Sequence, residues 1–271
     1  MNRKSYPTDL NNAEWEFLEP YFIVSYAKGG RPPKYSKREL INAVLYILRT
    51  GCQWRCLPHD FPNWKTVYYQ FTRWKKQNLF EHINHELITF IRTGIGKDQP
   101  SVGIIDSQSV KKVEVRGIGG YDPVKKINGR KRHILVDNNG FLLKCYIGPA
   151  NENDRTGAIK LFANTAVNIK RVYADMGYTA HRLRDYILNN YQIELDVIKR
   201  PRKYYYALPD APPLYMESGF KLLPKRWIVE RTFVWLGRSR RLSKEYEGSI
   251  EVSQSLVYLA MCKLMCRRLA K

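Results

Sequence analysis

Apolar positions along the chain follow two regimes. Up to about residue 97 they recur at helical spacing. In LNNAEWEFLEPYF, Trp15, Leu18 and Phe22 share one face, and the stretch opens with an Asn cap candidate. In RELINAVLYILRTG, Leu40, Val44, Leu45, Ile47 and Leu48 fall on one side. Ser36 with Glu39 predicts a capping box at its start, and Gly51 a left-handed stop at its end. Leu57-Pro58 and Phe61-Pro62 mark a turn, after which Asn63 caps a helix through Val67, Phe71 and Trp74. A further helix over about 81–93 ends in TGIGKDQP, whose Gly, Pro and polar residues place a domain boundary near 97/98.

After residue 100 the apolar runs become short and strand-like. SVGIIDSQSV is one. KRHILVDNNGFLLKCYIGPA contains two, separated by the hairpin signal Asn138, Asn139 and Gly140. DRTGAIKLFANTA reads as a helix capped by Asp154, NIKRVYADMGYTA as a strand, HRLRDYILNNYQ as a helix and IELDVIKRP as a strand. Three antiparallel strands followed by alternating helix and strand predict a mixed α/β sheet with helices on its faces. Residues 201–224 contain PRKYYYALPDAPPLY and read as an irregular insertion; the last helix covers about 250–269. The expected organisation is an N-terminal all-α domain, 1–97, and an α/β domain, 98–271, carrying that insertion.

With 44% hydrophobic residues the chain is able to bury a core, which excludes a disordered polyelectrolyte. Its 46 Lys and Arg against 25 Asp and Glu give a formal charge of +21, which points to a polyanionic partner. The helix after Asn63 then looks like the second helix of a helix-turn-helix, with Lys65, Gln70, Arg73, Lys75 and Lys76 as candidate DNA contacts. Arg130, Lys131 and Arg132 in GRKRH fit either backbone contacts to DNA or a solvated basic turn. No apolar run approaches the roughly 20 residues of a membrane span. MNRKSYPTDL lacks the apolar core of a signal peptide, so a cytoplasmic protein is expected. Cys52 and Cys56, with His59 nearby, and Cys262 and Cys266 have a C-x3-C spacing. The second pair lies on the apolar face of a helix, so core cysteines are expected rather than a zinc site.

Two acids share a setting. Asp106 ends VGIID and Asp175 ends RVYAD, each after an apolar run and before small or flexible residues. Carboxylates at the ends of neighbouring strands repel unless a cation sits between them, and oxygen-only ligands suit Mg²⁺ or Mn²⁺. Glu230, the single acid of KRWIVERTFVWLGRSRR, would complete a two-metal site of the kind that handles phosphodiesters. Arg226, one turn earlier, either pairs with Glu230 or touches a phosphate. Asp137 in the turn VDNNG is the main rival acid; Asp122 in GGYDP reads as a turn residue and Asp154 as a cap.

These residues lie in motifs that resemble the DDE-type insertion-sequence transposases, specifically the insertion sequence five family. GRPPKYSKRELINAVLYILRTGCQWRCLPHDFPNWKTVYYQFTRW resembles its N-terminal helical domain. IIDSQSVK, GRKRHILVD, VYADMGY and RWIVERTFVWLGRSRRL resemble its catalytic motifs in the expected order. The resemblance implies a ribonuclease-H-like fold with Asp106, Asp175 and Glu230 as catalytic, metal-holding triad and two Mg²⁺ or Mn²⁺ ions. It implies end cleavage followed by strand transfer, recognition of double-stranded terminal inverted repeats by the N-terminal domain, and a homodimer that joins two ends. Of the related pattern Y-x2-R-x3-E-x6-K, Arg226 and Glu230 match. Leu223 stands at the tyrosine position and Gly237 at the lysine position, with Arg238 beside it as a candidate substitute at a different helical angle. A metal-dependent nuclease of the same fold and a non-catalytic helix-turn-helix regulator are the rival functions.

Overall fold

The computed structural model describes residues 3–23, 33–97, 99–113, 116–163, 169–198 and 225–271. The insertion expected at about 201–224 lies outside the described residues. Four helices come first: α1 (Asn12–Glu16), α2 (Lys37–Thr50), α3 (Trp64–Lys76) and α4 (Leu79–Gly94). Their ends follow local chemistry. Asn11 and Glu14 form a reciprocal capping box, Asn63 caps α3, and Gly51 closes α2 at φ 77°, a conformation that favours glycine. At α2 the Ser36 hydroxyl accepts the Glu39 N–H at 3.1 Å. The Glu39 carboxylate, expected to reach back to Ser36, pairs with Arg3 at 2.6 Å instead.

The sheet is mixed. Its strands are β1 (Val102–Lys111), β2 (Gly120–Asp122), β3 (Ile127–Val136), β4 (Leu142–Pro149), β5 (Arg171–Ala174) and β6 (Glu194–Val197). β3 runs antiparallel to β1 and β4, with Asp106 opposite Ile134 and Ile134 opposite Cys145. The three residues of β2 also pair with β3, in line with β4. On the other side β1, β5 and β6 are parallel, as βαβ crossovers require. This is the expected ribonuclease-H-like arrangement, a mixed sheet flanked by helices, behind an N-terminal helical region.

The remaining helices are α5 (Asp154–Phe162), α6 (His181–Tyr191), α7 (Arg226–Gly237), α8 (Arg240–Ser243) and α9 (Ile250–Leu269). α5 packs on β3 and β4 and against α6; α7 packs on β1 and β3. The α9 helix is buried along most of its length and lies between β4 and helices α1, α3 and α4. Its Cys262 and Cys266 are buried there, and the Cys262 thiol faces the Phe80 carbonyl at 3.4 Å. Asn84 of α4 donates to the Leu142 carbonyl at 2.6 Å, so the N-terminal helices and the sheet share one continuous core. Among the described residues no helix is long and apolar enough to cross a membrane.

Candidate active site

The site forms where β1 and β5 lie side by side. Ile104 and Ile105 are buried and fix β1 in the core, so Asp106 emerges from the centre of the sheet. Ile104 is level with Tyr173 on β5, which places Asp175, two residues on, beside Asp106. Asp175 directly follows β5 and caps a short 3₁₀ turn over Met176–Tyr178, with Oδ1 accepting the Gly177 N–H at 2.9 Å. Asp106 Oδ1 accepts the Ser107 N–H at 2.7 Å. Desolvation, helped by the neighbouring Asp175 charge, pushes the Asp106 carboxyl up to about 6; the Ser107 N–H, Arg226 and Lys125 oppose the rise.

The third acid arrives on α7. Ile228, Val229, Thr232 and Leu236 bury one face of that helix. Thr232 donates to the Gly140 carbonyl at 2.8 Å and Arg231 to that of Asn139 at 2.9 Å, pinning α7 to the β3–β4 turn. Glu230 projects from the exposed side, with 56% of its side chain accessible. Arg226 joins it to the strand acids: its Nε lies 3.2 Å from Glu230 Oε1 and its Nη2 lies 3.6 Å from Asp175 Oδ2. The Nε approach is close but not aligned as a hydrogen bond. Arg226 is thus both the i,i+4 partner of Glu230 and the cation between two acids. Among the described residues, no three acids, histidines or cysteines converge closely enough to form a ready-made metal site.

The other acids separate. Asp137 is fully buried just past the end of β3, accepts the N–H groups of Asn139 and Phe141 at 2.9 Å each and pairs with Arg92 at 3.0 Å. It shapes the hairpin. Asp122 is buried, accepts from Ser109, Val124 and Lys125, and lies in β2 rather than only in a turn. Asp154 does not cap α5: Asn153 does, accepting the Arg155 N–H at 2.9 Å. Asp154 instead accepts the Ser107 hydroxyl at 2.8 Å and pairs with Lys131 at 3.1 Å, beside the strand acids.

The basic candidates divide likewise. Arg130 and Arg132 are buried and cannot reach DNA. Arg130 donates to the carbonyls of Ile118 and Gly248 at 2.8 and 2.7 Å; Arg132 donates to that of Leu242 at 2.6 Å, and both face Glu245. Lys131 points to the opposite face, as strand alternation requires, and donates to the Glu152 carbonyl at 2.8 Å as well as pairing with Asp154. The GRKRH run is therefore neither a DNA surface nor a solvated turn but the middle of a covered strand. On α3, Lys65, Arg73 and Lys76 are exposed, Lys75 is half-buried and Gln70 accepts from Lys37 at 3.1 Å. Arg226 is half-buried at the acids, and Arg238 is exposed just past α7.

The sequence matches known protein families. Residues 97–265 match the family described as "Transposase DDE domain". The chain belongs to that family. Residues 10–84 match a second description, "Putative transposase of IS4/5 family (DUF4096)". A protein of Burkholderia cepacia, "Putative transposase for insertion sequence element IS402", is 31% identical over 148 residues, 51% of this chain and 63% of its own length. "Uncharacterized protein y4sN" of Sinorhizobium fredii (strain NBRC 101917 / NGR234) is 27% identical over 74 residues, 27% of this chain and 58% of its own length. The DDE-domain chain thus spans about six-tenths of these curated relatives. Among solved structures, a piggyBac transposase synaptic complex with hairpin DNA aligns at TM-score 0.43 and 10% identity, covering 95% of this chain and 75% of that one. The Mos1 strand transfer complex aligns at 0.30 and 15%, covering 94% and 82%. Superpositions this loose add nothing to the assignment, which rests on the sequence families.

Proposed function

We propose that this DDE-domain chain is a DNA transposase that binds the terminal inverted repeats of its element, cleaves the ends and transfers them to target DNA. The observation that carries the reading is Asp106 beside Asp175 at the sheet, with Arg226 linking Asp175 to Glu230 on α7. Asp106, Asp175 and Glu230 are the residues that would hold Mg²⁺ or Mn²⁺. Their oxygen-only donor set fits a hard cation, and Gly177, lacking a side chain, leaves room against Asp175 Oδ1. Two such ions, when bound, would supply activation of the attacking oxygen and stabilisation of the leaving one.

The chain's own residues do the rest. Desolvation around Asp106 makes its charged form costly in the absence of a cation and so favours one there. The Ser107 and Gly177 N–H groups hold the Asp106 and Asp175 carboxylates in fixed orientations. Arg226 keeps a positive charge where a scissile-end phosphate would lie. The exposed Lys65, Arg73 and Lys76 of α3 supply a backbone-binding face, with Arg238 a further cation past α7. The reaction is water attack that leaves a 3′-hydroxyl, then attack of that hydroxyl on a target phosphodiester, with a homodimer holding two ends. A cytoplasmic site of action follows from the DNA substrate.

The test is a strand-transfer assay on DNA carrying the element's ends, with Mg²⁺, for wild type and for Asp106→Ala, Asp175→Ala and Glu230→Ala. Loss of joining in each variant with end binding retained supports the triad. Cleavage without joining in wild type favours a nuclease; joining that survives the substitutions overturns the site.

A further inference from the structure

A fourth carboxylate stands at the same centre. Asp175 uses its two oxygens in different directions. Oδ2 faces Arg226, and through it Glu230; Oδ1 faces Gly177. A Cβ built on Gly177 would lie 3.0 Å from Asp175 Oδ1 and 3.2 Å from Asp154 Oδ2, so the two carboxylates border one small space that only glycine leaves free. Asp154 is aimed there by its other oxygen, which is occupied by the Ser107 hydroxyl at 2.8 Å and Lys131 at 3.1 Å. Among the described residues the Tyr178 hydroxyl, fully buried beside Ser107 and close to the charges of Asp106, Asp154 and Asp175, has no well-aligned hydrogen-bond partner. A buried polar group left so beside these carboxylates is one that a water carried by a cation would satisfy.

We propose that Asp154 is a metal ligand of this site, sharing a divalent cation with Asp175 across the Gly177 gap. The inference rests on the two-metal reading above and extends it. The competing role is structural, with Asp154 serving only as a first-turn acid of α5 that pairs with Lys131.

Mn²⁺ alone is the probe, titrated into the full-length protein and followed by electron paramagnetic resonance of free Mn²⁺. The proteins are wild type, Asp106→Asn, Asp154→Asn and Gly177→Ala. Asp154→Asn keeps an acceptor for Ser107 and removes the charge; Gly177→Ala removes no acid but puts a methyl against both carboxylates, so that they must give way. Circular dichroism and the thermal midpoint show that each variant is folded. Asp154→Asn and Gly177→Ala are expected to lower the Mn²⁺ bound per chain and to move the titration midpoint at least tenfold higher. An unchanged titration in both, with Asp106→Asn shifted, overturns the role of Asp154 and leaves the triad standing. If wild type binds no Mn²⁺, or Asp106→Asn binds it as wild type does, the metal reading itself fails and this proposal with it.

Discussion

Replacing Asp106 by Asn is expected to stabilise the metal-free protein while abolishing its chemistry. In an unfolded chain an aspartate titrates near 3.9; here desolvation and Asp175 push Asp106 to about 6. One pKa unit corresponds to about 1.4 kcal/mol, so the ionised carboxylate costs the fold up to about 3 kcal/mol. Asp106 keeps a partial opening to solvent, which screens its charge, and a gain of about 1–3 kcal/mol is the expected range. Because the folded pKa lies above the unfolded one, the folded state binds the proton more tightly between pH 4 and 6. The penalty is absent below about pH 4, grows across that window and is complete above pH 6. Urea denaturation with a chelator present, at pH 7.5 and pH 3.5, measures it. Asp106→Asn should exceed wild type in unfolding free energy at pH 7.5 and match it at pH 3.5, because Asn keeps an acceptor for the Ser107 N–H and carries no charge at either pH. A variant no more stable than wild type at pH 7.5, or one offset equally at both pH values, refutes the argument that Asp106 is held in a charge-hostile place.

Two further outcomes test the assignments of basic residues. Glu245→Gln leaves Arg130 and Arg132 buried without their carboxylate and should destabilise the fold by about 3–5 kcal/mol in chemical denaturation; a loss below about 1 kcal/mol would show that the cluster is hydrated. Replacing Lys65, Arg73 and Lys76 together by Gln should leave the circular dichroism unchanged. It should weaken DNA binding and make the plot of log affinity against log salt shallower by about 0.9 for each phosphate that is no longer neutralised; an unchanged slope would remove α3 from the DNA face.

Local signals in the sequence carried the elements well. The hairpin over Asn138–Gly140, the caps at Asn63 and Gly51 and the position of Asp106 and Asp175 after apolar runs all depend on neighbours a few residues away. What stayed hidden depends on distant partners. Arg130 and Arg132 look like surface charge in the sequence, but β3 is a central strand covered on both faces, and their acceptors lie at 118 and at 242–253. Asp154 looks like a helix cap because it opens a helix; Asn153 takes that role, and only the fold brings Ser107 and Lys131 to the Asp154 side chain. Asn-Asp at a helix start was the one available signal, since two cap-competent residues in a row leave one free for other work.

The resident cations balance the acids gathered where β1 and β5 lie side by side. Arg226 sits between Asp175 and Glu230, and Lys131 sits on Asp154. Each occupies the charge that a divalent ion would bring, so on the proposed reading metal binding displaces two basic side chains rather than filling a bare cluster. Glu230 is the acid freest to move, being the most exposed and held to the strand acids only through Arg226. An exposed pair of this kind contributes about 0–1 kcal/mol, which an incoming cation easily exceeds. Released from the acids, Arg226 would be a positive charge at the edge of the centre, available to a DNA phosphate. The same side chain would then guard the acids in the empty protein and hold the substrate in the loaded one. That dual duty requires a residue one helical turn from Glu230, which is where Arg226 stands.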